Sequence, residues 1–199
     1  MLFNFKKIAR IMAVGMAGSL LATAALAVEC DTYYYGTERV EAVKYCSSSH
    51  LTPSKVASYG PGNAEIFDAS NQNVAWCEGA KGNGVGEWLE LSVINGGALV
   101  KTLTIANGYQ KSKTAFYANA RAKEIRIEMD SGLRVTTTLK DRFGQQVITF
   151  GDWQDMTKVR ITILSVYAGE KYQDTCLTSL GVSFTEGADY EWQQMQESN

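Results

Sequence analysis

Between Asn73 and Trp88 the chain reads N-V-A-W-C-E-G-A-K-G-N-G-V-G-E-W, with Gly79, Gly82, Gly84 and Gly86 set around Lys81. Glycines beside a lysine are the raw material of a phosphate cradle, in which backbone amides at a helix N-terminus face the phosphate oxygens. That chemistry needs the order G-x-x-x-x-G-K-[ST] between a strand and a helix. Here Ala80 precedes Lys81, no Ser or Thr adjoins it, and the segment after Gly86 alternates like a strand. The dinucleotide pattern G-x-G-x-x-G fails as well, because Glu87 stands where its third glycine would be. Nucleotide binding is not expected, and the stretch reads as a long loop whose glycines admit tight turns and positive φ.

Other catalytic chemistry finds little material. His50 is the single histidine and stands in the polar run Ser47-Ser48-Ser49-His50, so any Ser-His-Asp or Cys-His arrangement would rest on it alone. After residue 27 the chain holds neither G-x-S-x-G nor H-E-x-x-H, and without a C-x-x-C pair it carries no zinc signature. Glycoside hydrolysis requires two carboxylates facing each other across a cleft, and Glu78 with Asp174 is the pair left open for it. The expectation is a protein that is not an enzyme, with no cofactor and no metal site.

The elements that must position any site begin after a targeting segment. Lys6, Lys7 and Arg10 precede an apolar run that ends in Ala25-Leu26-Ala27, the pattern of a secretory signal peptide over residues 1–27. Setting it aside takes Lys+Arg from 19 to 16 against 21 Asp+Glu, a formal charge of −5, which argues against nucleic acid and anionic lipid as partners. No later stretch is apolar enough to span a membrane. The remaining length suits one domain with a substantial core. Cys30, Cys46, Cys77 and Cys176 all lie in the exported part, where disulfides persist. Four cysteines permit three pairings; the expected ones are Cys30–Cys46, a short clasp, and Cys77–Cys176, a long closure.

From residue 87 onward apolar residues recur at alternate positions: Leu89-Leu91-Val93, Leu103-Ile105, Ile125-Ile127-Met129, Leu133-Val135-Thr137-Leu139, Val147 to Phe150, Val159-Ile161-Ile163 and Leu180-Val182-Phe184. Turn chemistry divides them at Asn95-Gly96-Gly97, Asn107-Gly108, Asp130-Ser131-Gly132, Asp141 to Gly144, Gly151-Asp152 and Ala168-Gly169. No helical period lasts three turns there. This is an all-β pattern of sandwich or jelly-roll type. Before Trp76 the chain is less regular, with Ser54 to Tyr59 a turn or short strand and Asn63 to Phe67 a helical turn. Tyr33-Tyr34-Tyr35 reads as a strand packed on the sandwich, with an exposed binding edge as the alternative. The tail after Glu186 reads as a loose helix or disordered chain.

Four stretches carry a family resemblance: S-Y-G-P-G-N-A-E-I-F-D (Ser58 to Asp68), A-W-C-E-G-A-K-G-N-G-V-G-E-W-L-E-L (Ala75 to Leu91), I-A-N-G-Y-Q-K-S (Ile105 to Ser112) and V-Y-A-G-E-K-Y-Q-D-T-C (Val166 to Cys176). Together they resemble the discoidin-like (F5/8 type C) fold, in the branch found as the glycan-binding translocation domain of streptococcal NAD glycohydrolase. The likeness runs over residues 45–185, with 28–44 as an N-terminal extension and 186–199 as a polar tail. It implies a discoidin-like β-sandwich jelly roll of the galactose-binding-domain-like kind, binding carbohydrate through loops at one end without catalysis of its own. The loops at 76–86, 107–111, 117–121 and 167–175 would then stand together.

Sugar sites pair aromatic faces, which cover the C–H surface of the ring, with planar polar groups that bond its hydroxyls. The candidate loops supply Tyr109, Tyr117 and Tyr172 as platforms, and Glu78, Lys81, Asn107, Lys111, Asn119, Arg121 and Asp174 as polar partners. Trp76 and Trp88, beside strands, read as core. Arg121 and Glu78 have a competing use as an ion pair that holds the loops together. The resemblance also implies a structural calcium near Phe67 to Asn73, but Ser179 stands where a carboxylate would complete that site, which argues against the ion. The reading is an exported, non-catalytic carbohydrate-binding module that recognises a cell-envelope glycan or other sugar. A protein–protein interaction module of the same fold is the alternative, and a small hydrolase a more distant one.

Overall fold

The computed structural model describes residues 28–37, 40–54, 57–65 and 73–197. Residues 1–27, where the signal peptide is expected, lie outside them, as does most of Phe67 to Asn73.

Ten strands follow in chain order: β1 Glu29–Tyr34, β2 Ala42–Ser47, β3 Trp76–Cys77, β4 Trp88–Ile94, β5 Ala98–Asn107, β6 Ala120–Met129, β7 Arg134–Thr138, β8 Gln145–Met156, β9 Lys158–Tyr167 and β10 Thr175–Val182. Two helices join them, α1 Lys113–Ala118 and α2 Glu186–Glu197. One antiparallel layer runs β1-β2-β4-β9-β6-β7 and the other β3-β10-β5-β8. A short parallel seam, Thr175 beside Ala120 and Cys176 beside Arg121, connects them. The sheet folds back on itself there: the Tyr45 hydroxyl on β2 donates to the Leu180 carbonyl on β10 at 2.8 Å, although the two strands are far apart along the path of pairing. The molecule is an all-β sandwich.

Alternation builds the core. Leu89 and Leu91 of β4, Leu103 and Ile105 of β5, Ile125 and Ile127 of β6 and Ile161 and Ile163 of β9 point between the layers and are buried, as a strand period of two requires when one face meets the core. Every apolar run singled out in the sequence lands on or overlaps a strand. The turns follow their residue types: Gly108, Gly132 and Gly144 take positive φ of 73°, 95° and 101° and Asn95 takes 50°, a region that other side chains largely avoid.

The structure adds what the pattern did not show. The sheet begins upstream of residue 45, since β1 and β2 pair from Glu29↔Ser47 to Tyr34↔Ala42. Tyr33 sits edge-on to Tyr45, with 6.3 Å between ring centres, and its hydroxyl donates to Gly62 O, while Tyr34 stays open to solvent. Residues Pro61–Ala64 form a 3₁₀ turn. The tail is α2, seated on β5 through Gly187 against Leu99 and on β8 through Tyr190 stacked on Trp153 with 4.5 Å between ring centres. The expected disulfides are formed: Cys30–Cys46 and Cys77–Cys176, each between directly opposed residues of paired strands.

Candidate functional site

Strand polarity gathers the loops. β2, β5 and β9 end, and β4, β6, β8 and β10 begin, at one end of the sandwich, so the loops that follow or precede them meet there. Hydrogen bonds between loops then fix their arrangement.

The glycine loop wraps around a carboxylate. Gly82, Gly84 and Gly86 take φ of 119°, 75° and 96°, and a Cβ on Gly84 would lie 2.5 Å from the Glu78 Cγ. Glu78 is fully buried; its carboxylate accepts from Ala80 N at 2.8 Å and from Thr175 N at 3.1 Å. Burial raises its pKa to about 7, against the lowering by those two amides. Thr175 Oγ1 donates to Asn83 O at 2.8 Å, and the Cys77–Cys176 bond lies directly behind. The loop is thereby fastened to the start of β10.

Arg121 fastens the other side. Its buried guanidinium makes a two-bond fork with Asp141, both contacts 2.9 Å, and its Nη1 donates to Asn119 O at 2.7 Å and Ala168 O at 3.1 Å. The Phe116 ring lies 5.3 Å from its Cζ. Gly108 admits this packing, since a Cβ there would come within 2.7 Å of both Arg121 and Phe116. Asn107 reaches across to β6, donating to Ala122 O and accepting from Ala122 N. Asn119 ends α1 by donating to Ala115 O. The loop at 168–174 is held by bonds from Glu170 N to Tyr117 O and from Lys171 N and Tyr172 N to Ala118 O.

A depression of about 500 Å³ remains between the two fastened halves. Gly82 and Asn83 line one side and Ala168, Gly169, Tyr172 and Gln173 the other, with Ala120 and Val166 completing the lining. The Tyr172 ring is 45% exposed beside it, and Tyr117, 40% exposed, stands close by in sequence to the segment that anchors that loop.

The four loops expected to stand together do so, but the side chains proposed for sugar contact divide. Tyr172 lines the depression, and Tyr117, Lys81 and Lys111 are exposed. Glu78, Asn107 and Arg121 are buried and committed to the protein's own backbone and to Asp141. Tyr109 is half-buried against the Cys77–Cys176 pair and donates to Asn73 O. Asp174 is half-buried and its carbonyl accepts from Ala120 N. The ion pair between Arg121 and Glu78, the competing use for these residues, is not formed, because Asp141 takes the guanidinium. Trp76 is core, as expected; Trp88 is half-buried with the Arg160 guanidinium 4.0 Å from its ring. Asn83 and Gln173, the amides on the lining, were missed, although both stand in the quoted motifs and satisfy the planar-polar requirement applied there. His50 stands 3.3 Å from Glu29. Among the described residues no three His, Cys, Asp or Glu side chains gather as a cation site, and the buried Ser179 brings no charge to one.

Comparison with known families decides the identity of the fold. The family model for the NAD glycohydrolase translocation F5/8 type C domain matches residues 33–184. The chain belongs to that family. Among solved structures, this F5/8 type C domain is similar to the family 32 carbohydrate-binding module of C. perfringens NanJ in complex with galactose, at 16% identity and a TM-score of 0.51, over 70% of this chain and 92% of that one. A second family 32 module from Clostridium perfringens, in complex with GalNAc-β-1,3-galactose, has 14% identity and a TM-score of 0.54, over 70% and 94%. The arabinofuranosyltransferase AftD from Mycobacteria matches at 13% identity and a TM-score of 0.54, over 79% of this chain and 11% of that one. At these identities the likeness carries the fold. Among curated proteins no match is found.

Proposed function

We propose that this F5/8 type C domain is an exported, non-catalytic carbohydrate-binding module that recognises a glycan through the loop end of its sandwich. The observation that carries the reading is the depression beside Tyr172. An exposed aromatic face stands next to two side-chain amides, Asn83 and Gln173, and to glycine backbone, the combination that sugar rings and hydroxyls require. Recognition of galactose-containing ligands by two modules of the same fold supports it. The carboxylate pair that a hydrolase would use is not open, since Glu78 is sealed beneath the glycine loop. Export is supported by the signal-peptide pattern and by two disulfides, which suit an oxidising compartment. No helix among the described residues is long and apolar enough to cross a membrane.

The test is a broad glycan array probed with the purified protein and with its Tyr172→Ala variant. A defined set of glycans held by the parent and lost in the variant, at unchanged melting temperature, is the expected result. Silence across the array from folded protein would overturn the reading and point to a protein partner.

A further inference from the structure

The net negative charge of the chain conceals a separation of charge between its two ends. The end remote from the loops is acidic: Asp130, Asp155, Glu186, Asp189 and Glu191 stand there against Lys101, Arg134 and Lys158. At the loop end Glu78, Glu87 and Asp174 are buried or half-buried, and one exposed shoulder is basic. Lys111 and Lys113 flank the start of α1, Lys140 and Arg142 lie in the turn between β7 and β8, and Lys171 lies in the loop beside Tyr172; all five are exposed.

These cations belong to one shoulder. Gln110 and Gly144 exchange two hydrogen bonds, both 3.1 Å, which ties the α1 segment to the β7–β8 turn. Phe116 and Phe143 meet edge to face across the same junction with 5.9 Å between ring centres. Lys171 is drawn in by its backbone bond to Ala118, and its Nζ lies 5.0 Å from the centre of the Tyr172 ring. Asp141, the acid within this group, is already held by Arg121, so it does not neutralise its neighbours. Glu170 and the half-buried Asp174 are the carboxylates of the adjoining loop. Among the described residues none of the five cations is in an ion pair. Like charges on one shoulder without ion-pair partners repel one another, and an anion bound among them removes that cost.

Resting on the glycan reading, we propose that the ligand is an acidic glycan: its ring lies against Tyr172 in the depression, and its carboxylate or sulfate groups are received by Lys171 and the shoulder formed by Lys111, Lys113, Lys140 and Arg142. The acidic opposite end orients the molecule, turning the loops toward a polyanionic chain from a distance of about a Debye length.

Charge and sugar are separated by testing pairs of ligands with the same backbone. Oligogalacturonate is compared with its methyl ester, and dextran sulfate with dextran, against the purified protein. Three variants are tested alongside: Lys111→Ala/Lys113→Ala/Arg142→Ala/Lys171→Ala at the shoulder, Lys101→Ala/Lys158→Ala at the opposite end, and Tyr172→Ala. The charged member of at least one pair is expected to bind roughly tenfold or more tightly than its neutral partner. That advantage should vanish in high salt and in the shoulder variant, and survive in the opposite-end variant. The shoulder side chains are exposed and their mutual repulsion is relieved, so its melting temperature should equal or exceed that of the parent.

Binding of neutral glycans alone, unaffected by the shoulder variant, would leave the lectin reading standing and overturn this proposal. Absence of binding to any carbohydrate would overturn both. Vesicles of phosphatidylcholine with and without phosphatidylserine complete the set. Shoulder-dependent binding to the serine-containing vesicles, with no acidic glycan held, would overturn the proposal in favour of a lipid surface.

Discussion

Arg121 and Glu78 were read from the sequence as ligand contacts or as a pair that holds the loops, and both are buried and bonded between loops. The Arg121 fork with Asp141, together with its bonds to Asn119 and Ala168, spans three separate stretches of chain from one buried side chain. Removing it leaves a carboxylate and two carbonyls without partners, so Arg121→Ala should cost about 3 kcal/mol or more in urea unfolding. A variant that keeps its stability but loses glycan binding would return Arg121 to the contact surface. Glu78 makes a prediction in pH. Its folded pKa of about 7 lies above the ordinary carboxyl value of 4.5, so the folded protein holds this proton more tightly than the unfolded chain. The stabilisation from that proton is therefore complete below about pH 4.5 and is lost as pH rises toward about 7. The stability of the parent relative to Glu78→Gln, followed by unfolding across that window, should fall by roughly 1–3 kcal/mol and then level off. A flat difference would mean that the two backbone amides, and not burial, govern this carboxyl.

At the level of elements, legibility followed the length of the pattern. Strands with three alternating apolar residues, such as β4, β6 and β9, could be read directly, because two-period alternation leaves one face no choice but the core. The six residues of α1 are too few to show a helical period, and what marks this helix is the Ser112 hydroxyl accepting from Ala115 N. Residues 28–44 were assigned to an extension because the family likeness began at residue 45, although Tyr33-Tyr34-Tyr35 read as a packed strand; pairing and the Cys30–Cys46 bond hold β1 and the start of β2 in the sheet. The site was legible as a set of loops and far less so as a set of side chains. Asn, Arg and Glu suit a sugar hydroxyl and a neighbouring backbone amide equally well, and burial, which decides between those uses, depends on contacts distant in sequence. The disulfides turn the same long-range contacts into a prediction. Cys77 and Cys176 are separated by 99 residues and Cys30 and Cys46 by 16. Closure entropy assigns about 4.7 kcal/mol to the longer loop and about 3 kcal/mol to the shorter. Replacing both cysteines of a pair by alanine should therefore lower the melting temperature more for Cys77–Cys176, and glycan binding should weaken in that variant alone, because that bond lies behind the glycine loop. Equal losses would show that the β1 clasp is as important to the sandwich as the long closure.

For the whole molecule, the connections at the loop end are bonded to one another through their backbones. At the loop end, amides of Glu78, Gly108, Ala120, Glu170, Lys171 and Tyr172 all donate to carbonyls of other segments, so the walls of the depression are built before any ligand arrives. A site of that kind spends little binding energy on ordering its own chain. Amide exchange on the unliganded protein should consequently find those six positions protected to a degree close to the core strands, since opening any one of them requires parting two loops. Gly82, Asn83 and Val85 lie on the exposed turn of the glycine loop, outside that network among the described residues; they should exchange fast in the free protein. A bound glycan should then slow exchange at Gly82, Asn83 and Gln173 and leave the six fixed amides as they were. Broad new protection across the whole loop end on binding would mean instead that the ligand folds the site, and Tyr172 would then be an anchor for ordering loops and not a surface prepared for the sugar.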